Sequence, residues 1–415
     1  VKKLASIFQK SFLGPGFVTG ASDNDPSGIA TYSLCGATSG YNLLWASLLT
    51  LPMMIVVQEM AARVALVSGF GLTTAMKRYF PRPLVLVLIY VLVFANTLNI
   101  AADLAGMAAA SALIIPINPK VLIAVFTAIF LAVEISCSYR IFNTIAKILA
   151  VSLLAYVVDL VVLHPSLSLI ASKLFIPYIS RDPQWILLFV GFLGTTITPY
   201  MLFWQASQEL EEQDSTSIVK RLRSMRIDTA SGMFFSNIVT ACIVITTAMT
   251  LYARHVTIVT AADAAAALKP VAGEASSLLF ALGIVGVGML AVPVLATSSA
   301  YALAELHDWS YGLSLPFAKA PKYYLVVVGS IFAGLIAILV HIHVFAFMFL
   351  AAVLNGFVSV PLLIVLLILA NMRRCVGEHR NPWPINAVAL VTIAVIGIAS
   401  CCTLFGGTDQ WKSLL

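Results

Sequence analysis

Gly14–Gly36 reads GPGFVTGASDNDPSGIATYSLCG. Its two ends are apolar and its length suits a membrane crossing, yet its middle holds Asp23, Asn24, Asp25, Pro26, Ser27 and Gly28. Pro26 removes a backbone donor and disfavours helical geometry at Asp25. Gly28 loosens the chain further. A charged residue at a helix centre costs about 2.5–3.5 kcal/mol on insertion scales. Such a stretch survives at bilayer depth only where it lines a cavity, so the helix is expected to break there.

A second stretch, Gly191–Gln208, reads GFLGTTITPYMLFWQASQ and is interrupted in the same way by Thr195, Thr196, Ile197, Thr198 and Pro199. Asp25-Pro26 and Thr198-Pro199 stand 173 residues apart, with five spans from the first break up to the second. The second half therefore enters the membrane with the opposite orientation. Two broken spans at matching places in inverted halves point to a midplane site. Freed carbonyls and half-helix C-terminal ends there favour cations, and Asp25 adds a full negative charge. A lone proline such as Pro293 or Pro361 reads as a simple kink.

The rest of the chain fits a multi-span membrane protein. Its 415 residues are 60% hydrophobic and 10% charged, with mean hydropathy +0.99; an average soluble domain carries about 25% charge. Net charge is +6, spread over loops with no basic block that could track a phosphate backbone, so nucleic acid is excluded as a partner and the lipid bilayer is the expected surroundings. A spanning helix needs about 20 mostly apolar residues. Eleven segments qualify: 12–35, 40–67, 84–110, 119–135, 144–163, 185–208, 230–252, 275–303, 323–340, 344–370 and 385–405. Period-2 alternation is missing, which argues against a barrel. With the N-terminus inside, 17 Lys and Arg fall in inside segments and 6 in outside ones, and Arg63 lies within a span. This bias supports a cytoplasmic N-terminus and an outside C-terminus in a plasma (inner) membrane. The Ala-rich stretch 257–272 is too polar to span and is expected to form a short outer helix.

Cysteines 35, 137, 242, 375, 401 and 402 show no CxxC and no zinc spacing, and read as small core residues. The start, Val1-Lys2-Lys3, has no small-residue cleavage site before the first span and does not read as a signal peptide. No HExxH and no Ser/His/Asp cluster at one depth is present, which argues against an enzyme.

The two broken segments resemble those of the NRAMP family of divalent-metal transporters, which carries Asp-Pro-Gly-Asn in span 1 and Met-Pro-His in span 6. Gln58–Leu72 (QEMAARVALVSGFGL) looks like the family's second span and following loop, and Ala296–Leu306 (ATSSAYALAEL) its eighth. The resemblance runs through span 10 and is most specific in spans 1, 2 and 6. It implies an all-α membrane protein with eleven transmembrane helices, in the amino-acid-transporter-like (LeuT-type) 5+5 inverted repeat with broken helices 1 and 6. The halves fall at 12–163 and 185–370, with an extra helix at 385–405, all in one transporter domain of residues 1–415. Such a transporter takes a divalent metal ion as substrate, needs no cofactor and is expected to work as a monomer.

The departures from the family pattern are as informative. Gly28 stands at the motif's Asn, Thr198 at its Met, Tyr200 at its His and Gln205 at its second His, while Asp25 is kept. In span 3, where the family has an acidic pair linked to proton release, only Asp103 remains, its partner position falling at Ile100. This set resembles the NRAMP-related branch of magnesium transporters. A thioether favours soft ions, so its loss removes the discrimination against hard ones. Mg²⁺ prefers octahedral oxygen ligands at about 2.0–2.1 Å and keeps several waters. The expected metal ligands are Asp25 for charge, Ser22, Thr195 and Thr198 for carbonyl or hydroxyl oxygens, and Gly28 for room.

Asn96, Asn99 and Asp103 share a face of span 3, as Asn355 and Ser359 do in span 10. With Tyr200 they suggest an outer shell, the alternative for the stripes being an interhelical hydrogen-bond network. Without His at 200 and 205 the expected transport is of Mg²⁺, with Mn²⁺ as a second ion, by alternating access without proton coupling. Glu59 and Glu134 are the other candidate proton carriers, His164, His255, His341 and His343 read as outer interfacial residues, and Glu209, Glu211, Glu212 and Asp214 as a solvated cytoplasmic mouth. The alternatives are a proton-coupled Mn²⁺ or Fe²⁺ importer and, more distantly, an amino-acid or amine transporter on the same fold, with Asp25 facing the substrate amine.

Overall fold

The computed structural model describes residues 14–136, 154–212, 217–269, 273, 276–337 and 343–405. Expectations that rest on Lys2, Lys3, Lys10, Cys137, Arg140, Lys147, Asp214, His341 or Lys412 lie outside the described residues. The described chain is helical, with no strand among the described residues.

The first expected span is two helices, α1 (Pro15–Asp23) and α2 (Pro26–Ser39), joined by the non-helical pair Asn24-Asp25. Next come α3 (Leu44–Ser68), the short amphipathic α4 (Leu72–Tyr79), α5 (Arg82–Ser111), α6 (Pro119–Ser136), α7 (Leu154–Leu163) and α8 (Leu167–Phe175). The sixth expected span is again two helices, α9 (Pro183–Thr196) and α10 (Pro199–Glu211). Then follow α11 (Ile218–Thr250), the short α12 (Ala261–Ala265), α13 (Ser276–Leu306), α14 (Pro321–Ala337), α15 (Val344–Asn371), α16 (Arg373–Val376) and α17 (Trp383–Phe405). Seven helical stretches among the described residues are long and apolar enough to cross a membrane, and Pro321–Ile336 is a shorter apolar helix. Each expected segment overlaps helix in its described part, although α7 is described for only 10 residues. The seventh expected span begins 12 residues earlier than expected, at Ile218. Four cations (Lys220, Arg221, Arg223 and Arg226) ride on this polar first part of α11, which apolar run length alone does not register. α12 falls in the stretch expected to form a short outer helix, and its capping box is closed by Thr260 and Asp263.

Elements at equivalent places in the two halves pack on each other, α3 on α11, α5 on α13 and α6 on α14, and the two broken spans meet with α2 on α9 and α1 on α10. That pairing is what a pseudo-two-fold axis through an inverted repeat produces. Small residues set the closest approaches, as expected where packing rather than hydrophobicity drives helix association. Gly20 of α1 lies on the backbone at Gly232 of α11, Gly16 on that at Thr229, and Gly232 on that at Gly16, so a Cβ at any of the three would overlap the facing chain.

Basic residues gather at one end of the bundle. Lys77 pairs with Asp308 (2.8 Å), and Glu59 with both Arg63 (3.0 Å) and Arg226 (2.9 Å). Arg63, fully buried, also donates to the carbonyl of His379 and to the Asn381 side chain. Glu59 is thus committed to two guanidinium groups. Glu211 is half-buried and accepts from the Tyr301 hydroxyl and the Leu313 amide, Glu209 is buried, and Glu212 is exposed. The opposite end holds a cavity of about 520 Å³ lined by Leu34, Thr38, Gln184, His255 and His343 among others. Cys35, Cys242 and Cys375 are buried as expected, whereas Cys401 and Cys402 lie exposed on α17.

Candidate metal centre

Both breaks are built by proline. Pro26 and Pro199 each occupy the first turn of the second half-helix, where a missing N–H costs nothing, and each forces the preceding residue into an extended conformation. Asp25 (φ −63°, ψ 169°) is the N-cap of α2. Its Oδ1 accepts from the Gly28 amide at 2.5 Å and from the Ser27 hydroxyl at 2.8 Å. Thr198 (φ −82°, ψ 135°) caps α10 without a side-chain hydrogen bond, and its hydroxyl oxygen is buried without a partner.

The predicted residues converge at the breaks and are closed off from both faces. Asp25, Ser22, Thr195, Thr198, Asn99, Asp103, Tyr200 and Asn355 are each at most 2% exposed, and Gly28 is buried. Gly28 matters because of what approaches it. A Cβ there would stand 3.0 Å from Asp25 Oδ1, 3.0 Å from Thr195 Oγ1 and 3.2 Å from the Asp23 carbonyl oxygen. Asp25, Thr195 and a freed backbone carbonyl therefore meet at one point, with little space beside Gly28 in this closed state. The Ser22 hydroxyl turns back to the Thr19 carbonyl (2.8 Å), and the Ser22 carbonyl accepts from Tyr200 Oη (3.0 Å). Tyr200 so ties the second half of the sixth span to the first half of the first.

The polar stripe on α5 reaches three different helices. Asn96 Nδ2 donates to Ser299 Oγ on α13 (3.0 Å), and Asn99 Nδ2 to Asn355 Oδ1 on α15 (2.9 Å). Asp103 Oδ1 accepts from the Ser27 amide on α2 (3.1 Å). Asp103 is thus one residue removed from Asp25, with Ser27 bridging the two carboxylates. Asn99 Oδ1 and Asp103 Oδ2 are buried acceptors without a partner, as oxygens facing a cation would be. Ser359 Oγ lies 2.7 Å from the Ile197 carbonyl in the second break.

Sequence reasoning passed over four residues of this region. Ser27 lay inside the quoted stretch, and its role depends on Asp103, 76 residues away. Asp23 is buried and accepts from Ser236 on α11, and Asn24 donates to that Ser236 hydroxyl at 2.9 Å. Nothing in the local sequence of α11 singles out Ser236. Among the described residues no group of three or more His, Cys, Asp or Glu side chains converges as a resident metal site would. The arrangement offers few charged groups and several neutral oxygens.

A buried site at two broken, proline-started helices in an inverted-repeat bundle defines a transporter of the LeuT type. The family model described as natural resistance-associated macrophage protein-like (Nramp) matches residues 16–406, and the chain belongs to that family. It is 26% identical over 402 residues to the divalent metal cation transporter MntH of Aeromonas hydrophila subsp. hydrophila, covering 94% of this chain and 95% of the relative. It is 27% identical over 286 residues to MntH of Pectobacterium carotovorum subsp. carotovorum, covering 67% of this chain and 68% of that protein. Among solved structures, the manganese transporter of Eremococcus coleocola in complex with an aromatic bis-isothiourea substituted compound superposes with a TM-score of 0.79 at 16% identity, covering 96% of this chain and 86% of that one. A nucleobase-cation-symport-1 family transporter in a closed conformation superposes with a TM-score of 0.61 at 13% identity, covering 97% of this chain and 92% of that one. These two likenesses concern the fold.

Proposed function

We propose that the protein carries divalent metal cations across the plasma (inner) membrane by alternating access. Mg²⁺, partly hydrated, is the main substrate, Mn²⁺ a second one, and no proton is obligatory. The relatives' names support the divalent cation. The observation that carries the choice of ion is that the three atoms nearest a Cβ at Gly28 are all oxygens (Asp25 Oδ1, Thr195 Oγ1 and the Asp23 carbonyl), with Thr198 rather than a thioether at the second break. A hard ion gains from such donors and a soft ion loses its preferred one. Asn99, Asp103, Tyr200 and Asn355 hold the shell around it. The chain acts as a monomer, with halves at 12–163 and 185–370, helix 11 at 385–405, its N-terminus cytoplasmic and its C-terminus outside. Inward movement of two charges is worth about 4.6 kcal/mol per 100 mV, enough to drive accumulation without a proton.

The test is flux into proteoliposomes under an inside-negative potential, following Mg²⁺, Mn²⁺ and internal pH together. Saturable Mg²⁺ entry at constant pH, lost in Asp25→Ala, supports the reading. Mn²⁺ entry with acidification and no Mg²⁺ entry supports the second reading, a proton-coupled Mn²⁺ or Fe²⁺ importer. That reading draws on the proximity of Asp25 and Asp103, two carboxylates bridged by Ser27.

A further inference from the structure

α1 is nine residues long and ends at a non-helical hinge, Asn24-Asp25. It is the half of the broken span that lies between the buried site and the basic end of the bundle. Its first turn begins with amides that no helix can satisfy internally. Asp228, on the early extension of α11, satisfies them from outside. Gly14 N donates to Asp228 Oδ1 at 2.9 Å, Gly16 N to Oδ2 at 2.6 Å and Phe17 N to Oδ2 at 3.3 Å. The carboxylate is 3% exposed, and it fits flush: a Cβ at Gly14 would stand 2.7 Å from its Oδ2. Above this contact, Phe17 packs its ring on Phe235 (centroids 5.5 Å apart) and the glycine seam at Gly232 holds the two backbones together. Beside it lies a cavity of about 60 Å³ lined by Gly14, Pro15, Glu209, Glu212, Arg221 and Asp228, among others, so the first turn of α1 borders open space on one side.

We propose that Asp228 is the latch of the gate at the basic end. Its carboxylate holds the first turn of α1 against α11 and keeps the site closed from that face. Releasing the three amides lets α1 swing about Asn24-Asp25 and opens the path to Asp25. Charge-assisted hydrogen bonds in a buried setting are strong enough to bias a two-state element by a factor of ten or more. The latch rests on the transport reading only in that the swing opens a path for the ion.

Labelling of a reporter thiol tests it without any transported ion. Thr19→Cys, fully buried on α1, is placed in a chain whose native cysteines are replaced by serine. A membrane-impermeant maleimide is applied to either face of oriented vesicles without divalent metal. Asp228→Asn is expected to raise the labelling rate from the basic face about tenfold or more, with no increase from the opposite face, and Asp228→Glu to restore slow labelling. Gly14→Ala attacks the same contact from α1 by crowding the carboxylate, and is expected to act in the same direction. It keeps the test alive if Asp228→Asn does not fold. Unchanged labelling in the folded variants, or an equal rise from both faces, overturns the latch. Failure of Mg²⁺ flux in the same vesicles with the labelling pattern intact would count against the substrate and leave the latch standing.

Discussion

The two breaks share one backbone device and carry different chemistry. Both end a half-helix and restart the chain with proline at the first helical position. At the first break the polar side chains bond to neighbours, Asp23 and Asn24 to Ser236, Asp25 to the start of its own helix, Ser27 to Asp103 and Asp25, with Asp23 Oδ1 left over. At the second break the groups are neutral, and it is the backbone that is held. The Ile197 carbonyl faces Ser359, the Tyr200 carbonyl accepts from Ser298 (2.8 Å), and the Thr198 hydroxyl has no partner. The first break supplies charge and the second supplies oriented, uncharged oxygens. On the proposed reading, a dication between them meets full negative charge from the first break only. Such a site suits an ion that keeps water on its other side.

That asymmetry can be broken experimentally. The largest effect is expected for Asp25→Ala, which removes the carboxylate, the proposed charged ligand, at the point where Thr195 and the Asp23 carbonyl meet. Mg²⁺ flux should fall about a hundredfold or more, against a few-fold for Thr198→Ala, since a buried charge without its partner is far more costly to leave than a neutral oxygen. Equal losses in the two variants would end the distinction between the breaks. Gly28→Ala comes next. Its Cβ would press on Asp25 Oδ1 and Thr195 Oγ1 at 3.0 Å, and KM for Mg²⁺ should rise roughly tenfold with the protein still folded. An unchanged KM would mean that the ion binds away from Gly28.

Thr198→Met sharpens the comparison by putting a soft ligand on the neutral side. The Mn²⁺-to-Mg²⁺ flux ratio should rise several-fold, about three to ten, and Cd²⁺ should become an effective competitor. A ratio that does not move places the ion out of reach of position 198. The smallest effect is expected for Ser359→Ala, which takes away a hydroxyl on the Ile197 carbonyl. A loss of about 1 kcal/mol should appear as a lower melting temperature in detergent, with ion preference unaltered. An unaltered melting temperature would show that this carbonyl does not depend on that hydroxyl.

Much of this was legible in the chain itself. Asp25-Pro26 and Thr198-Pro199 are local signals, because proline acts on its own peptide and on the residue before it wherever it stands. The apolar runs are equally local, and each of the expected segments meets helix in its described part. What escaped were features that depend on a partner. The polar first part of α11 does not look like part of a span, yet it holds Asp228 under α1. Glu209 and Glu211 read as a solvated mouth, yet Glu209 is buried and Glu211 is half-buried against Tyr301 and Leu313.

The sequence by itself determined where the membrane helices lie, that two of them break, and that one break carries charge. Hydrophobic run length and proline stereochemistry are properties of short segments and need no knowledge of the rest. Only the tertiary structure decided which oxygens meet. Ser27 bridges Asp25 to Asp103, Tyr200 reaches Ser22 across 178 residues, and Asp228 caps a helix that starts 213 residues before it. A hydrogen bond is made between groups about 3 Å apart in space, and separation along the chain does not tell which groups those are.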